Sequence, residues 1–283
     1  MDIPAQHQTQ QPGHETEMHP APHSFMKDYQ GSGKLEGKKA LITGGDSGIG
    51  RATAIGMAKE GADIAILYLE EDEDASITQN AIQEHGKECL TFVGDLGNPE
   101  FCSQVAQDLR EKWGSLDVLV NNAGEQHPCE DFLTITPQQI EKTFKTNFFG
   151  MFFLTQAIFP LLNKNGSIVN CTSVTAYRGS PELLDYASSK GAIVAFTRSL
   201  AKHKYVVDKK MRVNAVAPGP VWTPLIPASF EAEEVKNFGE SVLMQRAAQP
   251  DEIAPSFIFL ASDDASYMTG QVLHPNGGEM VGS

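Results

Sequence analysis

Seven apolar runs alternating with helical repeats constrain this chain more than any other feature of its sequence. The runs are KKALITGG, DIAILYL, ECLTFVGDL, LDVLVNNAG, GSIVNCTS, MRVNAVAPG and GQVLHPNGG. Continuous apolar runs, rather than apolar/polar alternation, mark strands covered on both faces. Between them lie segments of helical period. IGRATAIGMAKEGA stops at Gly61 and EDASITQNAIQEHG at Gly86, while PEFCSQVAQDLREKWG has Pro99 near its start and Gly114 at its end. Further helices are expected over about 137–162, 181–203 and 251–260. Strands and helices in this order predict βαβ units, and right-handed crossovers turn them into a doubly wound α/β sheet of seven parallel strands with helices on both faces. No linker interrupts residues 37–283, so a single domain is expected there. Residues 221–246 break the alternation. An insertion after a strand end of such a sheet lies where ligands bind, so this stretch reads as a lid.

Composition narrows the partners. Asp and Glu number 36 against 22 Lys and Arg, a formal net charge of −14. That balance repels a phosphate backbone or an anionic bilayer, so neither nucleic acid nor membrane is expected as a partner. The most apolar stretch, Phe148 to Leu162, is too short to span a bilayer and holds Gln156 and Pro160. The four cysteines form no C-x-x-C pair, and no apolar run follows a basic start, so a cytoplasmic protein with reduced thiols is expected. Residues 1–36 read as a polar N-terminal extension. The first 24 carry four Pro, four Gln and four His with few apolar groups, a composition expected to stay largely flexible. His7, His14, His19 and His23 show no compact ligand spacing, so no metal is expected.

Three motifs carry chemistry. TGGDSGIG, Thr43 to Gly50, follows the first strand and opens a helix. Gly44, Gly48 and Gly50 let the backbone turn tightly and approach a pyrophosphate at a helix N-terminus. NNAG, Asn121 to Gly124, ends the fourth strand; the asparagines can hold a neighbouring strand and Gly124 leaves room for a ribose, although a plain turn would use the same residues. Ser173 ends the fifth strand, where it points into the crevice. Tyr186 lies thirteen residues on, in DYASSK, with Lys190 on the same helix face at i+4. Asn147, in the preceding apolar helix, can project into the same place. Taken alone, Tyr186 and Lys190 are a common surface pair. Tyr177 lies nearer to Ser173 but has no lysine four residues later. Cys171 reads as a small buried apolar group rather than a nucleophile.

Together, TGGDSGIG, the Asp95–Leu96 pair, NNAG, Asn147, Ser173, YASSK, Asn214 and PGPVWT (Pro218 to Thr223) resemble the classical short-chain dehydrogenase/reductase family, over residues 36–283. The forms GGDSGIG, YLEEDEDA and PGPVWTPL are similar to those of a bacterial subgroup described as glucose/ribitol dehydrogenase-like or general-stress oxidoreductases. The resemblance implies a Rossmann-type domain that transfers hydride between a nicotinamide and an alcohol or carbonyl (a sugar, polyol, or small aldehyde or ketone), and a homotetramer. It implies Asn147, Ser173, Tyr186 and Lys190 as catalytic residues. Tyr186 serves as general acid/base, Ser173 holds the substrate oxygen, Lys190 holds the nicotinamide ribose and lowers the tyrosine pKa, and Asn147 keeps a water in a proton relay. The dinucleotide is implied to lie on Gly44, Asp46, Ser47, Gly48, Ile49 and Gly50; on Tyr68, Asp95 and Leu96; on Asn122, Ala123 and Gly124; and on Pro218, Gly219, Val221 and Thr223, besides Tyr186 and Lys190. Gln126, His127 and Trp222 are expected at the substrate. Tyr68 stands where an acid would bind the ribose of NAD, with Glu70, Glu71 and Asp72 just after it. Ser47 stands where an NADP enzyme often has a basic residue. The acids therefore favour NAD over NADP. The contrasting expectation is a catalytically silent dinucleotide-binding regulator.

Overall fold

The computed structural model describes residues 3–279. Residues 1–2 and 280–283, at the ends of the expected extension and domain, lie outside the described residues. Seven strands form one parallel sheet: β1 (Lys39–Thr43), β2 (Asp63–Tyr68), β3 (Cys89–Val93), β4 (Leu116–Asn121), β5 (Leu162–Cys171), β6 (Arg212–Val216) and β7 (Val272–Leu273), in the order β3-β2-β1-β4-β5-β6-β7. The order reverses between β1 and β4, and a crevice opens there at the strands' carboxyl ends.

Helices cover both faces. On one lie α1 (Gly48–Lys59), α2 (Asp72–Gln83) and α10 (Pro250–Ala261); on the other, α3 (Pro99–Trp113), α5 (Met151–Ile158) and α7 (Leu184–Ala201). Alternate residues of one strand feed the two cores: Ile168 packs with Leu154 and Leu109, while its neighbour Val169 packs on the side of Ile258 and Ile55. The long helix expected over 137–162 is α4 (Pro137–Phe144), a π-helical stretch over Lys145–Gly150, and α5. Short helices α6 (Thr175–Arg178), α8 (Lys204–Asp208) and α9 (Ala232–Lys236) complete the chain.

The N-terminal extension differs from its expectation. It is packed as a strap along the body rather than left flexible. Met18, Met26 and Leu35 are about 1 % exposed. Ile3 and Met18 join Trp222, Ile226 and Val235 of the lid, and Ala247 just after it, in a small third core. The strap's backbone is bonded as well: Gln8 N–H donates to Pro227 O, Asp251 N–H to His23 O, and the Trp222 indole N–H to Pro20 O. Isolated apolar residues in a polar segment suffice here because each finds a pocket and the chain between them is held by hydrogen bonds. Among the described residues, no helix is long and apolar enough to cross a membrane, and no group of three or more His, Cys, Asp or Glu is placed to hold a metal ion.

Candidate active site

A cavity of about 620 Å³ lies at the switch point. Every strand end from β1 to β6 contributes: Gly44 and Asp46 to Ile49 after β1, Tyr68 and Glu71 after β2, Asp95 and Leu96 after β3, Asn122 to Gln126 after β4, Cys171 to Thr175 at β5, and Pro218 to Val221 after β6. Thr223, Leu225, Ile226 and Phe230 of the lid close one side, and Gln11 to Gly13 of the strap join them.

The glycine loop is shaped by close approach. Gly44 is held at φ +61°, and a Cβ on it would meet Asn122 and Ala123 at 3.1–3.4 Å. Gly50 does not line the cavity. A Cβ there would stand 1.8 Å from the Gly44 carbonyl oxygen, so its part is to let α1 start against the turn. The Asn122 amide donates to Thr43 O (3.0 Å) and Gly44 O (3.2 Å), and Thr43 Oγ1 accepts from the Asn122 and Ala123 N–H groups. Asn121 reaches the other way, to Thr155 and Asn170. This bare backbone at a helix N-terminus is a cradle suited to a dinucleotide's phosphates.

Acids surround the far end of the cradle. Asp46 is buried, and burial with the nearby Glu71 carboxylate pushes it up to about 6. Burial raises Glu71 too. The Tyr68 hydroxyl donates to Asp72 at 2.8 Å, and burial with that bond raises Tyr68 to about 12. Arg51, which follows the loop, turns away from the cavity. Its guanidinium meets Glu15 of the strap at 2.5 Å and Asp74 at 2.8 Å, and its Nε donates to Asp46 O and Thr78 Oγ1. Glu15 also accepts from the Gly48 N–H at 2.6 Å. No local signal exposes Glu15 as a partner of the loop, because Gly48 and Arg51 lie over thirty residues away from it.

The raised acid predicts a stability profile. A carboxyl whose pKa is higher folded than unfolded stabilises the fold fully below its unfolded value, and that contribution is lost as pH rises through the folded value. For Asp46 the window runs from 3.8 to about 6. A gap of about two pKa units caps the penalty at about 3 kcal/mol at higher pH. Asp46→Asn is expected to melt higher than wild type at about pH 8 and to lose that advantage by about pH 4, in paired thermal melts. An equal gap at both pH values would overturn this reading.

At the other end, Ser173, Tyr186 and Lys190 share one wall. Lys190 Nζ donates to Cys171 O at 3.0 Å and stands 5.4 Å from the Tyr186 ring centre. Ser173 Oγ accepts from both Thr175 N–H (3.1 Å) and Thr175 Oγ1 (3.0 Å). A hydroxyl has two lone pairs and one proton, so the Ser173 proton is left to donate into the cavity, where Ser173 acts to lower the Tyr186 phenol. Burial raises the Tyr186 phenol, with Ser173 opposing, and burial lowers Lys190; the lowering expected of Lys190 acts together with a bound positive nicotinamide. Burial also raises the Cys171 thiol, as suits an inert buried group.

Three expected residues stand elsewhere. Asn147 lies one layer behind the cavity, in the π-helical stretch. Its Oδ1 accepts from Glu125 N–H (2.8 Å), and its Nδ2 donates to Glu125 O (2.9 Å) and Ser189 Oγ (3.0 Å). His127 is not on the wall; its Nε2 faces Glu125 at 3.6 Å. Trp222 is wholly buried under the strap, because its indole N–H finds Pro20 O there. Tyr177 packs edge-on against His274, away from the cavity.

A family model described as enoyl-(acyl carrier protein) reductase matches residues 44–279. The chain belongs to the short-chain dehydrogenase/reductase family. Within that family, it is 50% identical over 283 residues to the NADPH-dependent aldehyde reductase 1, chloroplastic, of Arabidopsis thaliana, covering 98% of both chains. It is 47% identical over 285 residues to the glucose and ribitol dehydrogenase of Daucus carota, covering 99% of this chain and 97% of that one. A short-chain dehydrogenase from Burkholderia cenocepacia, solved in complex with NADP, superposes with a TM-score of 0.80 at 30% identity, over 87% of this chain and 98% of that one. The preference for NAD read from the acids after β2 finds no support in these names, which carry NADP and NADPH. Membership makes the chain an oxidoreductase with a Rossmann-type fold.

Proposed function

We propose that this short-chain dehydrogenase/reductase moves hydride between a nicotinamide dinucleotide and a small alcohol or carbonyl compound, with Tyr186 as general acid/base. The observation that carries the reading is the placement of Ser173, Tyr186 and Lys190 on one wall of a cavity whose other end is the glycine cradle. When bound, the dinucleotide supplies or accepts the hydride. In the reducing direction Tyr186 gives its phenolic proton to the carbonyl oxygen. The Ser173 proton, its lone pairs already engaged by Thr175, is directed at the same oxygen. Lys190 gives one of its three donors to Cys171 O, leaving two that would hold the ribose hydroxyls of a bound dinucleotide. Asn147 holds the Glu125 backbone rather than touching the reacting atoms; a water bound behind it would lead the proton outward. Thr223 stands within the cavity wall to bind the nicotinamide carboxamide.

The substrate end mixes Leu225, Ile226 and Phe230 with Gln126, Arg178 and Glu182. That mixture suits a short carbon chain bearing hydroxyls, in keeping with the aldehyde and sugar or polyol in the relatives' names. Phe149 and Phe152 are solvent-exposed, which supports burial against further copies of the chain in a homotetramer; sedimentation checks this. The functional test is nicotinamide absorbance with NADH or NADPH and a panel of sugars, aldehydes and ketones. Turnover is the expected result, and the faster dinucleotide identifies the cofactor. Tight dinucleotide binding without turnover would favour a silent regulator. Failure to bind either dinucleotide would overturn the account of the cradle.

A further inference from the structure

Two consecutive residues on the cavity wall are each gripped by a side-chain amide. Glu125 is held by Asn147 from within the fold, through its N–H and its carbonyl. Gln126 is held in the same two-point manner by Gln11 of the strap. Gln11 Oε1 accepts from Gln126 N–H at 3.0 Å, and Gln11 Nε2 donates to Gln126 O at 2.8 Å. These are the bonds a neighbouring strand would make, supplied here by one side chain. Gln11 Nε2 also lies 3.2 Å from Ala228 O, so the same amide joins the loop after β4 to the lid.

The strap is seated to hold Gln11 there. A Cβ on Gly13 would fall 2.6 Å from Pro224 O and 2.9 Å from Ala228 Cβ, so only glycine lets the strap lie this close. On the other side Gln8 N–H donates to Pro227 O at 2.7 Å, and His7 Nδ1 meets Phe230 O at 2.9 Å. Gln126 is 4 % exposed and lines the same cavity as Tyr186, whereas the Gly48 N–H of the glycine cradle bonds Glu15 and not Gln11.

We propose that Gln11 is a positioning residue of the active site: it fixes Gln126 and the lid residue Ala228 relative to one another and thereby sets the affinity for the alcohol or carbonyl substrate, leaving dinucleotide affinity unchanged. The kinetic half rests on the oxidoreductase reading above. Substrate selection in this chain then depends partly on a segment that precedes the first strand.

The test uses the full chain carrying Gln11→Ala or Gln11→Glu. The glutamate keeps the length and the acceptor for Gln126 N–H, but sets a carboxylate oxygen against two carbonyls, which isolates the amide's donations from simple packing. Both variants are expected to exchange the backbone amides of 125–129 and 225–230 at least about 10-fold faster than wild type, since those bonds are the local restraint. KM for the best carbonyl compound of the panel should rise about 10-fold, with kcat and the Kd for NADH or NADPH within about twofold. Unchanged exchange and KM in Gln11→Ala would overturn the proposal. So would a parallel rise of KM and dinucleotide Kd, or wild-type behaviour in Gln11→Glu. Absence of turnover in the wild-type chain would sink the oxidoreductase reading alone, and the exchange measurement would still decide whether Gln11 restrains the loop and lid.

Discussion

Tyr186→Phe is expected to lower kcat about 10³-fold while dinucleotide Kd stays within about threefold, because the change removes one proton donor and little volume. The phenol is 9 % exposed and lies in a wall whose backbone is tied at several points. Its own carbonyl accepts from Ser189 Oγ (2.7 Å), and its N–H donates to Asp185 Oδ1 (2.8 Å). Asp185 is in turn held by Thr143 Oγ1 at 2.7 Å. None of these bonds uses the phenolic oxygen, so phenylalanine leaves the scaffold intact. Burial also raises the phenol's pKa, and a bound cation in the cavity would oppose that rise. Single-turnover absorbance with a saturating dinucleotide checks the prediction. A variant that retains more than a tenth of wild-type kcat would remove Tyr186 from the proton-transfer role.

Gly50→Ala is expected to be among the most damaging single methyls at the described residues. The new Cβ would stand 1.8 Å from the Gly44 carbonyl oxygen, 2.6 Å from its carbon and 2.7 Å from Asn122 Nδ2. None of these atoms is the free end of a flexible side chain; Asn122 is committed to Thr43 and Gly44. The loop must therefore move away from α1, and the cradle opens. Overpacking of this kind costs about 3 kcal/mol or more. Dinucleotide Kd is expected to rise at least about 100-fold, since the phosphates lose their seat. Gly191→Ala is the control. It too lies in a helix, next to Lys190, yet a Cβ there meets nothing within 4 Å. It is expected to stabilise by about 0.5–1 kcal/mol and leave binding alone. Fluorescence titration with NADPH and NADH, beside thermal melts of both variants, compares them. Equal behaviour of the two alanines would show that the contact at Gly50 is not what shapes the cradle.

The strands and the glycine turn were legible because local pattern and final environment agree. Runs such as DIAILYL are apolar at successive positions because both sheet faces are covered, and Gly44 and Gly48 adopt positive φ. Ser173, Tyr186 and Lys190 could be grouped because a strand end and an i,i+4 helix face have fixed geometry. The strap was not legible. Ile3, Met18 and Met26 are spaced without period among polar residues, and their partners lie far along the chain. Trp222 and His127 were misplaced for a related reason. Their neighbours in sequence line the cavity, but the Trp222 indole turns to Pro20 O, 202 residues away, and the His127 ring stands off the wall, 3.6 Å from the Glu125 carboxylate two residues back. Asn147 was read as facing the reacting groups, whereas the π-helical stretch that carries it turns its amide onto the Glu125 backbone.

The strap also fixes an order of events during synthesis. Pro20 waits for Trp222, His23 for Asp251 and Met26 for the Asp251 carboxylate, contacts that span more than 200 residues. A segment that precedes the first strand is thus among the last to find its place. Until α10 is made, the strap lacks its anchors on Asp251, so the wall that Gln11 to Gly13 add to the cavity is secured late.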